Sequence, residues 1–324
     1  MSTSYTSKEL IDFCLEKNFE HNCIRHLRCR ENWPLRDLEF ALEIKGQTMK
    51  IIGASNSQDK LRVGFVWGLF TEVIKKHNLN LDCKIIISAG DGVAPDEKYT
   101  RLCFSAAPDS NHIQIPDPHI FRYINNPEIV DTLSFKNKQD KLIFVGSDTG
   151  AINDNLTNQR IDFCHAPDLH PRIYAKVTNF VHFNKEMLGN RGIDMDLIGS
   201  HYCSIQEQLK YKYILNIDGN TNSFDRIPWA MNSNSLLIHL QSSLCNQVSW
   251  YHPFILKERI LPTLCKDSII QHFNNFDELA MYFEFSAAEL IEKQKNFAGL
   301  ILDVENQMEY LKRVLEKYNG LYNS

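Results

Sequence analysis

The sequence predicts an α/β protein with two doubly wound domains, and three observations predict it. Short apolar runs suited to buried strands alternate with stretches of helical period in both halves of the chain, the pattern of sheets covered by helices. Three of those runs end in polar glycine turns, at 90–92 (GDG), 146–150 (GSDTG) and 218–224 (DGNTNSF). The strand–helix rhythm also restarts after a polar stretch, Asn125 to Lys141, that contains Pro127 and reads as an interdomain boundary. At 324 residues the chain exceeds one average domain. The expected division is 1–138, 139–285 and a helical C-terminal segment, 286–324.

Taken in order, Thr6 to Glu9 forms a capping box ahead of a short amphipathic helix carrying Leu10, Ile11, Phe13, Cys14 and Leu15. Residues 38–53 alternate as a β-hairpin turning at Lys45-Gly46-Gln47. A helix from about Asp59 to His77 follows, with Val63, Val66, Phe70, Val73 and Ile74 on one side. CKIIISAGDG from Cys83 and RLCFSAAP from Arg101 are buried strands. Beyond the boundary, KLIFVGSDTG, YKYILNIDG and SLLIHL are three further strands. The last stretch is helical in period, and Ser286 to Glu289 reads as the capping box that starts it.

Composition excludes several classes. The chain is 43% hydrophobic with a net charge of −5, enough for a core and wrong for sequence-independent nucleic-acid binding. Arg25, His26, Arg28 and Arg30 cluster, which suits either a solvated helix face or an anionic partner. The opening MSTSYTSKEL is polar, so no signal peptide is expected, and no window reaches the ~20 apolar residues of a membrane span. The nine cysteines form no Cys-x-x-Cys pair, which fits free thiols in a cytoplasm. Cys14, Cys23, His26 and Cys29 lack the second half of a zinc site, and ordinary packing accounts for them. Asn155-Leu156-Thr157 is a sequon that matters only outside the cytosol.

The chemistry is expected at the turns, because ligands of open α/β sheets bind outside the carboxyl ends of strands. In GSDTG, Gly146 and Gly150 allow close backbone approach while Ser147 and Thr149 offer hydroxyls to an anion. The turn matches neither a Walker loop nor GxGxxG, and a plain turn is its other reading. Arg160 downstream can grip a phosphate in bidentate fashion. In DGNTNSFDR, Asp218, Gly219, Asn220, Thr221, Asn222 and Ser223 precede a helix starting near Arg226 or Pro228. A helix N-terminus with several N–H donors and Arg226 suits a diphosphate; a solvated turn with Ser223 as N-cap suits the same residues. Asp194-Met195-Asp196 has the Asp-x-Asp form of a manganese site, but it sits among apolar residues of a connecting region.

The order LIFVGSDTG, NQR, LKYKYILNIDGNTNSF, PWAMNSNSLLIHLQSS and SWYHPFILKERILPTL resembles glycosyltransferase family 90. That family includes protein O-glucosyltransferases and O-xylosyltransferases, capsule xylosyltransferases and lipopolysaccharide-core glycosyltransferases. The match is firm over about 141–265 and follows the pattern in outline before that. The resemblance implies a GT-B fold, two Rossmann-like domains facing across a cleft, the first on the acceptor side and the second binding a UDP-sugar. It implies inversion without a metal or other cofactor, with Asp91 as base, and donor contacts from Gly146, Ser147, Thr149, Arg160, Asp218 to Phe224, and Arg226, with His239 within reach. Two positions depart from the pattern: Val145 stands where an arginine is common, and Asp225 follows Phe224 where an arginine is usual.

The chemistry implied is transfer of a sugar from a UDP-sugar to a hydroxyl of a glycan or glycolipid, as in a lipopolysaccharide core, by a cytoplasmic protein with at most peripheral contact at the inner membrane face. Single displacement with inversion needs one carboxylate beside the acceptor hydroxyl, and an Asp on a strand-end turn suits that place. A non-catalytic sugar-nucleotide-binding protein of the same fold is the alternative. The C-terminal helix from about Ser286 is expected to pack back on the first domain.

Overall fold

A computed structural model describes residues 5–20, 35–55, 60–91, 99–108, 110–124, 129–166, 169–221, 225–242, 247–265 and 276–324. They form an α/β protein of two compact units, each built on a five-stranded sheet. One unit comprises 5–124, 247–257 and 300–324, and the other 125–246 and 258–299. The chain therefore returns to the first unit twice, whereas the sequence was divided into consecutive blocks.

In the first unit, α1 (Ser7–Phe19) starts at the expected capping box: the Thr6 side chain accepts from Glu9 N, and the Glu9 carboxylate accepts from Thr6 N. Strands β1 (Glu39–Gly46) and β2 (Thr48–Ala54) form the expected hairpin. Gly46 has φ +63°, a left-handed conformation that glycine adopts without a Cβ penalty. Then follow α2 (Lys60–Lys76), β3 (Leu81–Ser88), β4 (Arg101–Cys103), β5 (Ile113–Gln114) and α3 (Pro118–Ile124).

The sheet order is β2-β1-β3-β4-β5; β1 runs antiparallel to both neighbours, and β3, β4 and β5 are parallel. The sheet is thus mixed, three parallel strands with the expected antiparallel hairpin at one side. A two-residue hairpin can join only antiparallel strands, and the helical crossover α2 then carries the chain past β1 to β3. Glu39 and Arg101, on β1 and β4, make a buried ion pair at 2.5 Å.

The second unit contains β6 (Gln139–Ser147), α4 (Gln159–His165), β7 (Ile173–Asn179), three short helices α5 (Lys185–Gly189), α6 (Met195–Ile198) and α7 (Ile205–Gln208), and β8 (Tyr211–Ile217). It continues through α8 (Arg226–Met231), β9 (Leu236–Gln241) and β10 (Thr263–Cys265); α9 (His252–Glu258) intervenes and lies mostly in the first unit. All five strands are parallel, in the order β10-β9-β8-β6-β7. From β6 the chain steps outward to β7, then returns to the other side of β6 for β8, β9 and β10. The winding therefore reverses between β6 and β8.

Tyr213, Leu215, Ile217, Leu236, Ile238 and Leu240 alternate onto one face and join Leu142 and Phe144 in the core. The helix α10 (Phe276–Ile301) adds Phe276, Ala280, Phe283, Ala287 and Ile291, a stripe at helical spacing. That stripe corrects the start expected at Ser286. Apolar burial begins ten residues earlier and overrides the local capping signal, so Ser286 lies inside the helix. The last helix, α11 (Val304–Asn323), starts at Asp303, whose side chain accepts from Glu305 N and Asn306 N. Within the first unit its Tyr310 ring stacks on Trp250 at 4.0 Å.

Candidate functional site

Adjacent strands that wind in opposite directions leave a crevice at their carboxyl ends, and polar turns that end there are natural ligand sites. GSDTG ends β6 and DGNT ends β8, so both expected turns flank the reversal. They also touch. Gly150, at φ +141°, brings its Cα side within 3.7 Å of the Asp218 carbonyl oxygen and the Gly219 backbone, measured from an added Cβ. A Cβ on Gly219 would stand 2.8 Å from Arg160 Nη2 and 3.1 Å from Thr149 Oγ1, so only glycine fits there without displacing the arginine.

Arg160 is the brace under both turns. It projects from α4, whose N-cap Asn158 accepts from Ile161 N. Its Nε and Nη2 donate to the Ile217 carbonyl, Nε also to the Asp218 carbonyl, and Nη1 to Ser147 O at 3.0 Å and Thr149 Oγ1 at 2.9 Å. These hydrogen bonds run to the main chain and Thr149. Its charge is fixed against both turns.

Arg226 lies at the first position of α8 and reaches inward, donating to Leu215 O at 3.1 Å and to Val145 O. A Cβ on Gly146 would come within 3.3 Å of its Nη2. Both guanidiniums lie over the Phe144 ring, at 5.9 Å for Arg160 and 5.0 Å for Arg226, a cation–π geometry. Arg226, from the second turn, thus reaches the main chain of Val145, just ahead of the first. The short helix α8 has six residues and begins at Arg226, one of the two expected starts, with Pro228 at its third position. Asn222, Ser223 and Phe224 lie outside the described residues, as does Gly92 of the GDG turn.

Asp218 and His239 form a second linkage across β8 and β9. His239 Nε2 and Asp218 Oδ1 are 2.8 Å apart, and Ser242 N donates to Asp218 Oδ2 at 2.9 Å. Both side chains are buried, so Asp218 ties the strand ends together rather than pointing at solvent. Asn220 is exposed; Thr221 is buried, and its carbonyl accepts from Gly219 N. Ser147 Oγ and Thr149 Oγ1 sit 3.2 Å apart at the mouth of the first turn.

Two residues here escaped the sequence reading. Asp148 is fully buried, and its carboxylate accepts from the backbone N–H groups of Val181, His182 and Phe183, anchoring the loop after β7 against the first turn. Nothing in GSDTG itself signals that partner. Asn216 is fully buried on β8 beside His239, and neither of its amide atoms meets a hydrogen-bond partner among the described residues. Its polar place in an apolar strand was a visible signal.

Asp91 belongs to the first unit, just past β3. Its Oδ1 accepts from Arg62 Nη2 at 2.6 Å, Arg62 Nη1 donates to Ala89 O, and Ser105 Oγ donates to the Asp91 main-chain carbonyl. The side chain is 43% exposed, so the carboxylate is both oriented and open to solvent. Arg62 was not singled out from sequence, where it is one more charge on a helix.

Asp194 caps α6 through Asp196 N, and Asp196 pairs with Lys185 at 2.5 Å, so the two carboxylates serve local structure. Cys23, His26, Cys29, Arg25, Arg28 and Arg30 lie outside the described residues. Among the described residues no group of three His, Cys, Asp or Glu side chains is placed to hold a metal. No described helix is long and apolar enough to cross a membrane. No protein-family model matches the chain, and no curated protein matches it.

Proposed function

We propose that this protein is a glycosyltransferase that moves a sugar from a UDP-sugar to a hydroxyl of a glycan acceptor, with inversion and without a metal. The observation that carries the reading is the meeting of GSDTG and DGNT at the reversal of a parallel sheet, over two fixed guanidiniums. Glycine turns with hydroxyls at their mouth and positive charge beneath them suit a diphosphate, which needs N–H donors and a compensating field.

In this reading the two units adopt the GT-B arrangement, with the donor on the parallel-sheet unit and the acceptor on the unit bearing Asp91. Asp91 takes the proton of the acceptor hydroxyl, the oxygen attacks the anomeric carbon, and the bond to UDP breaks with its electron pair going to the diphosphate. The turns stabilise that leaving charge, while Arg62 holds the base in one orientation. The acceptor in this proposal is a surface glycan such as a lipopolysaccharide core, reached from the cytoplasm.

The same Arg62–Asp91 ion pair favours the second reading, a sugar-nucleotide-binding protein without turnover, because a carboxylate committed to an arginine is less available to a hydroxyl proton. Thermal stabilisation by UDP and a panel of UDP-sugars, followed by assay of UDP release, tests both. Stabilisation with release supports the enzyme, stabilisation alone supports the binding protein, and no response to any uridine nucleotide overturns both.

A further inference from the structure

Gln139, Tyr174 and Tyr211 stand at or beside the N-terminal ends of β6, β7 and β8, the sheet edge opposite the polar turns. A pocket of about 410 Å³ opens there, within one unit, and none of the turn residues lines it. We propose that this pocket is a carbohydrate-binding site that holds an uncharged stretch of glycan by stacking on its tyrosines, separately from the donor turns.

The walls carry the argument. Tyr174 and Tyr211 stack with ring centres 6.4 Å apart and planes 25° from parallel, and Tyr202 beside them is 82% exposed. Aromatic rings left this open to water mark a place where another apolar face docks. The face of a sugar ring offers C–H groups to such a surface, while its rim offers hydroxyls. The polar groups of the pocket match that rim. Ser200 Oγ lies 3.5 Å from the Tyr174 hydroxyl, and Glu207, Lys210 and His201 complete the border.

The charges decide between ligand classes. One carboxylate and one ammonium line the pocket, so it has no excess of positive charge to favour a phosphate or a nucleic-acid backbone. A neutral polyhydroxyl ligand fits this balance. Glu207 is also fixed in place, since it closes a capping box with Ser204 at the start of α7. The Cys203 thiol in the wall is pushed up by burial and further by the Glu207 charge, so it is not poised as a thiolate nucleophile. The volume falls within the ~300–1,000 Å³ common for ligand sites.

This site stands on its own geometry and does not depend on UDP-sugar binding. The test titrates the full chain with maltohexaose, cellohexaose, chitohexaose and a mannohexaose, read by saturation-transfer NMR and calorimetry, with and without saturating UDP. The expected result is saturable binding of at least one hexasaccharide that UDP does not displace. It should weaken at least tenfold in Tyr202→Ala and in the Tyr174→Ala/Tyr202→Ala double variant, and be largely kept in Tyr202→Phe, all with unchanged melting. Tyr202 is exposed, so its single variant keeps the test valid if the double variant unfolds. The proposal is overturned if none of the four binds, if binding is equal in Tyr202→Ala, if UDP displaces the sugar, or if only inorganic phosphate or uridine binds. The donor reading fails separately, by absence of any response to UDP.

Discussion

Gly219 shows most directly how the sequence specifies the candidate site. Its missing Cβ is the space occupied by the Arg160 guanidinium, 2.8 Å away, so the brace and the glycine presuppose each other. Gly219→Ala is expected to cost about 1–3 kcal/mol through overpacking, read by denaturant melts, and to abolish stabilisation by UDP. A variant of wild-type stability that still responds to UDP would contradict the packing. Asn216 makes the opposite prediction. A buried amide without partners costs about 1–3 kcal/mol, so Asn216→Leu, which is similar in volume, is expected to keep or raise Tm in a thermal melt. A clear fall in Tm would mean that the amide is bonded after all. The glycines were legible because a polar turn after an apolar strand implies close approach. The direction of Arg160 was not, because an arginine that donates to carbonyls and one that grips a ligand look the same in sequence.

Elements were legible where one signal dominated. The hairpin at Gly46, the helix α2 and the strands β6, β8 and β9 follow their apolar patterns closely. β5 and β10 have two and three residues, too short for any period to register. β7 alternates in burial, but its Lys176, Thr178 and Asn179 hid it among polar segments. Helix α10 was misplaced because Ser286 to Glu289 satisfies a local capping rule that the longer stripe from Phe276 outweighs. The same helix supplies a contact that no local pattern announces. Gln294 is fully buried; its Oε1 accepts from Leu237 N at 3.1 Å and its Nε2 donates to Leu237 O at 2.9 Å and to Ile260 O. It thus pairs β9 where β10 does not reach. Gln294→Leu leaves those main-chain groups unpaired, and a loss of roughly 1–3 kcal/mol is expected in urea unfolding. An unchanged midpoint would show that the edge is satisfied otherwise.

At the scale of the molecule, the restart after residue 125 was readable from composition, but the two returns of the chain to the first unit were not. Sequence shows where a rhythm stops, and only packing shows which core each later segment joins. In that first unit, the C-terminal helix is held to α1 by Arg313, which bonds both Asp12 and Glu309. Burial pushes the Glu309 carboxyl up, but hydrogen bonds from Arg313 and Lys312 and their charges outweigh it and hold the group below its ordinary 4.5. A depressed carboxyl contributes stability that is complete above about pH 4.5 and is lost as pH falls through the folded value. Melting temperature is therefore expected to drop below that pH in the native chain, and to drop less steeply in Arg313→Met. Parallel acid limbs for the two proteins would remove the network from the account.

The central claim is that the turns at the sheet reversal bind a UDP-sugar and that Asp91 makes the protein an enzyme. It is tested most directly by UDP release from a UDP-sugar panel, measured for the native chain and for Asp91→Asn, with UDP affinity determined for both. The account predicts release by the native chain, a fall of at least a hundredfold in Asp91→Asn, and UDP affinity unchanged between them. Equal release by the two proteins, or no release by either while UDP still binds, would contradict it.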